Sequence, residues 1–359
     1  MLLNLTNVAL TTGPTQPSTW YLVAVFATLV LSFLLTLLTG RIILPILRAK
    51  KVGQIIREDG PQWHMGKSGT PTMGGISFII PFLLCMVAVA IVFAVKDSEF
   101  QLIPFALVVC FAVANAMIGF IDDRCKLLKK QNEGLTERQK LVLQFLAAGA
   151  FIAMMAITGN LTTALHVPFT DWAPDLGWFA YPIYLIVLVG FVNATNITDG
   201  LDGLASSVCA VVTVFMLLYD LTFGFDRFGD TGVSFISAAL LGGMLGFLIY
   251  NFHPAKMFMG DTGSLFLGAV IMGCAVAEGE LLIFVLAGFV FVLDMLSSLI
   301  QRYYYKLTHG KRLFKMAPVH HHFEKCGWKE VQIVALFAGV SLLFCALAWL
   351  GIFVPYCLR

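Results

Sequence analysis

Ten runs of about 20 apolar residues divide the chain, and they restrict its fold more than any other feature. They cover residues 20–44, 74–95, 102–121, 141–158, 181–197, 204–219, 232–251, 262–277, 281–304 and 331–355. Each is long enough to cross a bilayer, where a backbone must satisfy its own hydrogen bonds, so each is expected to be a helix. Composition agrees. Of the 359 residues 59% are hydrophobic and 12% charged, against roughly 25% charged in soluble domains. The expected fold class is an all-α integral membrane protein of about ten transmembrane helices, residues 1–359 forming one polytopic domain in the lipid bilayer.

Lysine and arginine give the orientation. Twenty of the 23 fall in the links after the first, third, seventh and ninth runs or, like Arg41 and Arg302, at the adjoining edge of a run. Only Lys96, Arg227 and Arg359 remain for the other side. Positive charge stays cytoplasmic, so an even number of spans puts both termini outside, which is periplasmic in a bacterial inner (plasma) membrane. The net charge of +2 conceals this asymmetry, and no nucleic-acid partner is expected. The eight cysteines are scattered without metal-ligand spacing and read as small apolar residues. The N-terminus lacks the basic start of a cleaved signal peptide. Four N-x-T sequons read as chance.

Polar groups are costly in hydrocarbon, so the islands between the runs carry the functional information. The first is N-A-T-N-I-T-D-G-L-D-G-L-A at 193–205, with Asn193, Asn196, Asp199 and Asp202. Gly200 and Gly203 suit a tight reversal there, so a polar cap on two helices is the plain alternative. K-S-G-T-P-T-M-G-G at 67–75 holds Lys67, Thr70 and Thr72 on a constrained loop suited to phosphate. Asp122 and Asp123 end the third run, where carboxylates oppose the helix dipole. Adjacent helical residues point about 100° apart, so the two need not share one task. Asp261 opens the eighth span in F-M-G-D-T-G-S and reads either as an N-cap or as a ligand. Asp294 lies inside the ninth, and its role is open. His320, His321 and His322 are consecutive, which disfavours one ion shared by all three rings. G-x-x-x-G at 242–246 reads as a helix contact.

On the predicted topology the lysine, acid, amide and histidine motifs all face the cytoplasm. Carboxylates with lysine and histidine at a membrane surface suit a Mg2+-bound diphosphate. Taken with G-F-I-D-D at 119–123, F-M-G-D-T-G-S-L and A-P-V-H-H-H-F-E, the islands resemble the polyprenyl-phosphate N-acetylhexosamine-1-phosphate transferase superfamily. Within it, the 67–75 loop and the unbroken histidine run resemble the bacterial phospho-N-acetylmuramoyl-pentapeptide transferases. The resemblance implies a ten-helix enzyme, commonly a homodimer. Its partners would be UDP-MurNAc-pentapeptide and undecaprenyl phosphate, its products lipid I and UMP, and its cofactor Mg2+.

Carried onto this chain, the resemblance makes Asp122, Asp123, Asp261 and His320 to His322 catalytic, with Asp261 the metal ligand. Lys67, Thr70, Thr72, Lys126, Lys140, Asn193, Asn196, Asp199, Asn251 and Phe258 become substrate contacts, Phe258 stacking on uracil. The active site would be built from residues 67–75, 119–140, 193–203, 251–264 and 310–324. Glu133 departs from the pattern, since many relatives carry a basic residue there. A GlcNAc-1-phosphate transferase is the near alternative, although its last motif normally breaks the histidine run. An ion-coupled secondary transporter is a distant one, because transporters place their acids near the midplane. An intramembrane aspartyl protease would need G-x-G-D, which is absent.

Overall fold

The computed structural model describes residues 17–49, 69–96, 100–129, 134–224 and 229–357. Among these the chain is helical, with α1 Thr19–Ala49, α2 Ile76–Lys96, α3 Leu102–Lys129, α4 Glu137–Ile157, α5 Ala180–Thr198 and α6 Leu204–Tyr219. Then follow α7 Val233–Asn251, α8 Gly260–Ala277, α9 Leu281–Ala287, α10 Phe289–Leu307, α11 Val319–Lys325 and α12 Glu330–Cys357. Nine of the described helices are long and apolar enough to cross a membrane. The ninth expected span is instead a broken pair: α9 and α10 bend by 77° across Gly288, and counting the pair as one crossing gives ten.

Burial sorts the helices into layers. Almost every residue of α7 and α8 is buried, whereas α1 keeps Phe26, Leu34, Leu38 and Ile42 exposed on one side, as lipid-facing residues must be. Small residues let the inner helices approach. A side chain at Gly242 would overlap the backbone of Leu29 and Phe33, and one at Gly246 would press on Thr36. The G-x-x-x-G run is therefore the α1–α7 contact. Gly119 of α3 lies likewise against the Asp261 backbone of α8, which brings the two helices that matter most for the site into direct apposition.

The end of the bundle away from the site holds an acidic network that the sequence reading passed over. Asp220, Asp230, Glu278 and Glu280 are all at most 2% exposed. The Tyr21 hydroxyl donates to Asp230 Oδ1 at 2.9 Å, and the Ser234 N–H to Asp220 Oδ2 at 2.8 Å. Thr231 donates its hydroxyl to Glu278, and His166 Nδ1 lies 2.9 Å from Glu280 Oε1. Only glycine fits at position 224, where a Cβ would run into the Asp220 and Glu278 oxygens.

Burial first, and then the Asp220 carboxylate beside it, push the Glu278 carboxyl well above the usual carboxylate range. The folded chain thus binds this proton more tightly than the unfolded chain, whose Glu has a pKa of about 4.3. Stability must then fall as pH rises from that value toward the raised one. Each tenfold difference in proton affinity is worth about 1.4 kcal/mol, which for a chain of this length is roughly 2 °C of Tm. Glu278→Gln mimics the protonated form and keeps an oxygen for Thr231. Its Tm in detergent between pH 5 and 9 is expected to fall less steeply than the parent's; parallel slopes would refute the assignment.

Candidate functional site

At the other end, α3 extends two turns past the acids to Lys129, so Asp122 and Asp123 do not end the helix as the apolar run suggested. Their directions differ as the helical period requires. Asp122 forms an i,i+4 ion pair with Lys126 at 2.7 Å, and its other oxygen accepts the Leu135 N–H at 2.7 Å. Asp123 reaches across to the start of α8. It accepts the N–H groups of Asp261 at 3.1 Å and Thr262 at 2.9 Å, and the Thr262 hydroxyl at 2.6 Å.

The first N–H groups of a helix have no partners within it, and its N-terminus carries partial positive charge. Met259, the N-cap residue of α8, offers no side-chain cap. A carboxylate from a different helix does the capping instead. The turn before it requires glycine: Gly260 has φ +71°, and a Cβ there would crowd Asp123 and the Thr72 hydroxyl.

Asp261 is consequently not the N-cap. Its Oδ2 receives Lys126 Nζ at 2.8 Å and Lys140 Nζ at 2.9 Å, and its Oδ1 receives Asn196 Nδ2 at 2.8 Å. Lys140 owes its place to the start of α4, where Thr136 and Gln139 form a reciprocal capping box, a T-x-x-Q signature. Asn196 comes from α5 and also bonds Ser264 Oγ at 2.8 Å and Lys140 at 3.0 Å. Four helices, α3, α4, α5 and α8, therefore converge on one carboxylate.

Asp199 follows the end of α5. Withdrawal from water, and then the Asp261, Asp123 and Asp202 carboxylates, raise its carboxyl well above the ordinary range. Phe258 is half-buried and its backbone is tied at both ends: its N–H donates to the Pro71 carbonyl, and its carbonyl accepts the Gly74 N–H, both at 2.8 Å. The loop bearing Thr70 and Thr72 is thus laced to the segment before α8. Lys67 and Glu133 lie outside the described residues.

Other expected contacts turn elsewhere. Asn193 donates to Gln144 Oε1 and to the Val189 carbonyl, both at 2.8 Å, which ties α5 to α4. Asn251 is buried, accepting from Ser206 at 2.8 Å and donating to the Met257 carbonyl at 3.0 Å; it braces the 251–257 turn. The three histidines part company. His320 Nδ1 lies 2.6 Å from Asp294 Oδ2, His321 Nδ1 lies 2.6 Å from Glu324 Oε2, and His322 Nδ1 accepts the Lys315 N–H at 3.1 Å.

Several members escaped the sequence reading. Ser264 follows Asp261 by three residues and Gln144 follows Lys140 by four, so helical spacing alone would have placed both on the site side. No local signal joins Asp202, His253 and Glu330, whose ligand atoms lie within 4.8 Å of one another. His253 Nδ1 is 3.0 Å from Asp202 Oδ2, which also accepts the Ala255 N–H at 3.0 Å. The trio pins the 199–203 turn to the base of α12.

Two ammonium groups on one carboxylate, with a second carboxylate beside them, form a cradle whose cations can turn toward an incoming anion. Comparison with known proteins fits that chemistry. Residues 105–279 match the glycosyl transferase family 4 model, and residues 67–79 match phospho-N-acetylmuramoyl-pentapeptide-transferase signature 1. The phospho-N-acetylmuramoyl-pentapeptide-transferase of Geobacillus thermodenitrificans is 42% identical over 326 residues, covering 90% of this chain and 95% of that protein. Its Geobacillus kaustophilus counterpart is 43% identical, covering 92% and 98%, and that of Bacillus subtilis 40%, covering 91% and 96%. With identity at this level along nearly the whole length of both chains, the protein belongs to the phospho-N-acetylmuramoyl-pentapeptide-transferase family.

Proposed function

We propose that the protein transfers phospho-MurNAc-pentapeptide from UDP-MurNAc-pentapeptide to undecaprenyl phosphate, giving lipid I and UMP. The observation that carries this reading is the convergence of Lys126 and Lys140 on Asp261 Oδ2. A phosphate oxygen of the lipid attacks the sugar-bearing phosphorus of the donor. The bond from that phosphorus to the oxygen of the uridylate phosphate breaks, and UMP leaves with the electron pair. One pyrophosphate linkage is lost and another made, so the chemistry is near balance and the barrier lies in bringing anions together. Lys126 and Lys140 supply the positive charge for that approach. Phe258 is the aromatic surface for the uracil ring.

The donor set also fits Mg2+. Hard carboxylate and amide oxygens suit it, and Asp261 is held by side-chain cations that can exchange, whereas Asp123 is committed to backbone N–H groups. Asp261, with Asp122 and the Asn196 carbonyl oxygen nearby, would hold the ion, which when bound neutralises diphosphate charge.

The lipid and the soluble donor meet only at a membrane face, and the basic links argue that this face is cytoplasmic. A cysteine in place of Lys311 is expected to label with an impermeant maleimide only in inside-out vesicles, and one in place of Asp171 only in right-side-out vesicles. The reverse pattern would separate the site from its soluble donor.

The reaction itself is tested by UMP release from a panel of UDP-sugars with undecaprenyl phosphate. UDP-MurNAc-pentapeptide is expected to turn over and UDP-GlcNAc to remain at background. Turnover of UDP-GlcNAc alone would reassign the chain to GlcNAc-1-phosphate transfer.

Asp122 serves in this scheme by orienting Lys126 and the 134–136 link rather than as a general base. A phosphate monoester has a second pKa of about 6, so at pH 7 about 90% of the acceptor is already dianionic. Both Asp122 oxygens are also engaged, by Leu135 and Lys126. Asp122→Asn is expected to lose activity at every pH from 6 to 9. Recovery toward the parent rate by pH 9 would instead show that proton removal was its task.

A further inference from the structure

His320 and Asp294 are both 0% exposed, and they come from segments 26 residues apart. The break at Gly288 makes the meeting possible. A Cβ at Gly288 would strike the Phe191 ring, and Phe191 packs edge-on against Phe291 at 5.7 Å, so the bend is locked against α5. From there α10 presents two polar groups to the start of α11. Ser297 Oγ accepts the Val319 N–H at 2.9 Å while donating to the Asp294 carbonyl at 2.6 Å. Asp294 Oδ2 lies 2.6 Å from His320 Nδ1, and its Oδ1 lies 3.4 Å from the His320 N–H.

The far side of the ring is different. His320 Nε2 is buried and has no hydrogen-bond partner among the described residues. It faces Gly200, where a Cβ would collide with the ring, and Gly200 adjoins Asp199 in the turn beside the Asp261 cluster. A carboxylate accepts from Nδ1–H, which leaves Nε2 as the atom directed toward the site. Burying an acid here without a cationic or donor partner would be costly. The pair joins α10 to α11, whereas the hydrogen bonds of His321 to Glu324 and of His322 to Lys315 stay within residues 315–324.

We propose that Asp294 is a positioning residue for His320: it fixes the proton on Nδ1, holds the ring against Gly200, and thereby aims Nε2 at the turn that carries Asp199. Asp294 touches no substrate; it acts through the histidine. The inference builds on the transferase reading above, and the test keeps the two apart.

Asp294→Asn preserves shape, but with its oxygen toward the His320 N–H it turns an amide N–H toward Nδ1 and displaces the proton to Nε2. Nitrogen-15 spectra of the histidine-labelled protein without substrate are expected to show a protonated Nδ1 for His320 in the parent and an unprotonated one in the variant. A variant spectrum like the parent's overturns the proposal whether or not the protein releases UMP. In the UMP assay, kcat is expected to fall at least about 10-fold, with KM for the nucleotide donor within about twofold. Equal loss of kcat and of donor affinity, or an unchanged kcat, would also overturn it.

The cycle with His320→Gln closes the argument and serves if Asp294→Asn is poorly stable. If Asp294 works through the ring, adding Asp294→Asn or Asp294→Ala to His320→Gln leaves kcat per folded molecule unchanged within about twofold. A further multiplicative loss would show that Asp294 acts on its own.

Discussion

The cap that Asp123 places on α8 is the contact on which the rest of the site depends. α8 begins without a capping side chain of its own, and its first N–H groups would otherwise be buried without partners. By accepting two of them and the Thr262 hydroxyl, Asp123 joins α3 to α8 at the point where Gly119 already lets the backbones touch. The join also sets the rotation of α8. With the N–H of Asp261 committed to Asp123, the side chain of Asp261 is turned away from the helix start and out toward α4 and α5.

That orientation explains why charge can sit so deep. Asp122, Asp123 and Asp261 belong to helices that otherwise cross hydrocarbon, where an unpaired carboxylate would be expensive. Each is neutralised in a different way. Asp123 uses the N-terminus of a helix, Asp122 an i,i+4 lysine and a backbone N–H, and Asp261 two lysines and an amide. The polar loops around them are stabilised by backbone hydrogen bonds, such as those linking Pro71 and Gly74 to Phe258.

Much of this was legible in the sequence, and the reasons it stopped are physical. Run length alone located the spans, because the bilayer thickness is a fixed ruler. It failed at Gly288, where the apolar run continues through a 77° bend that depends on Phe191 packing from another helix. It also ended the third span early, since α3 carries its charged last turns beyond the apolar run. In the site, the short motifs located Asp122, Asp123, Asn196 and Asp261, and the family resemblance added Lys126 and Lys140; the fold brings all six together. Asn193 and Asn251 belong to the same motifs but brace helix ends, because residue type does not say which way an amide points. The Asp294–His320 pair and the Asp202–His253–Glu330 trio join residues with no common period, so only the fold could reveal them.

The adjacent acids of α3 show how a helix turns two like residues to unlike purposes. One residue of rotation, about 100°, separates a carboxylate locked onto a backbone from one paired with a side-chain ammonium. Backbone donors cannot leave without unravelling the helix start, so Asp123 is fixed for the life of the fold. Lys126 and Lys140 end in flexible stems, so their ammonium groups on Asp261 can turn without disturbing any backbone contact. Electrostatics fixed to the backbone build the site, and ion pairs between side chains complete it. That division requires both acids in this order: exchanging their directions would aim the mobile pair at the helix start and leave Asp261 without its orientation.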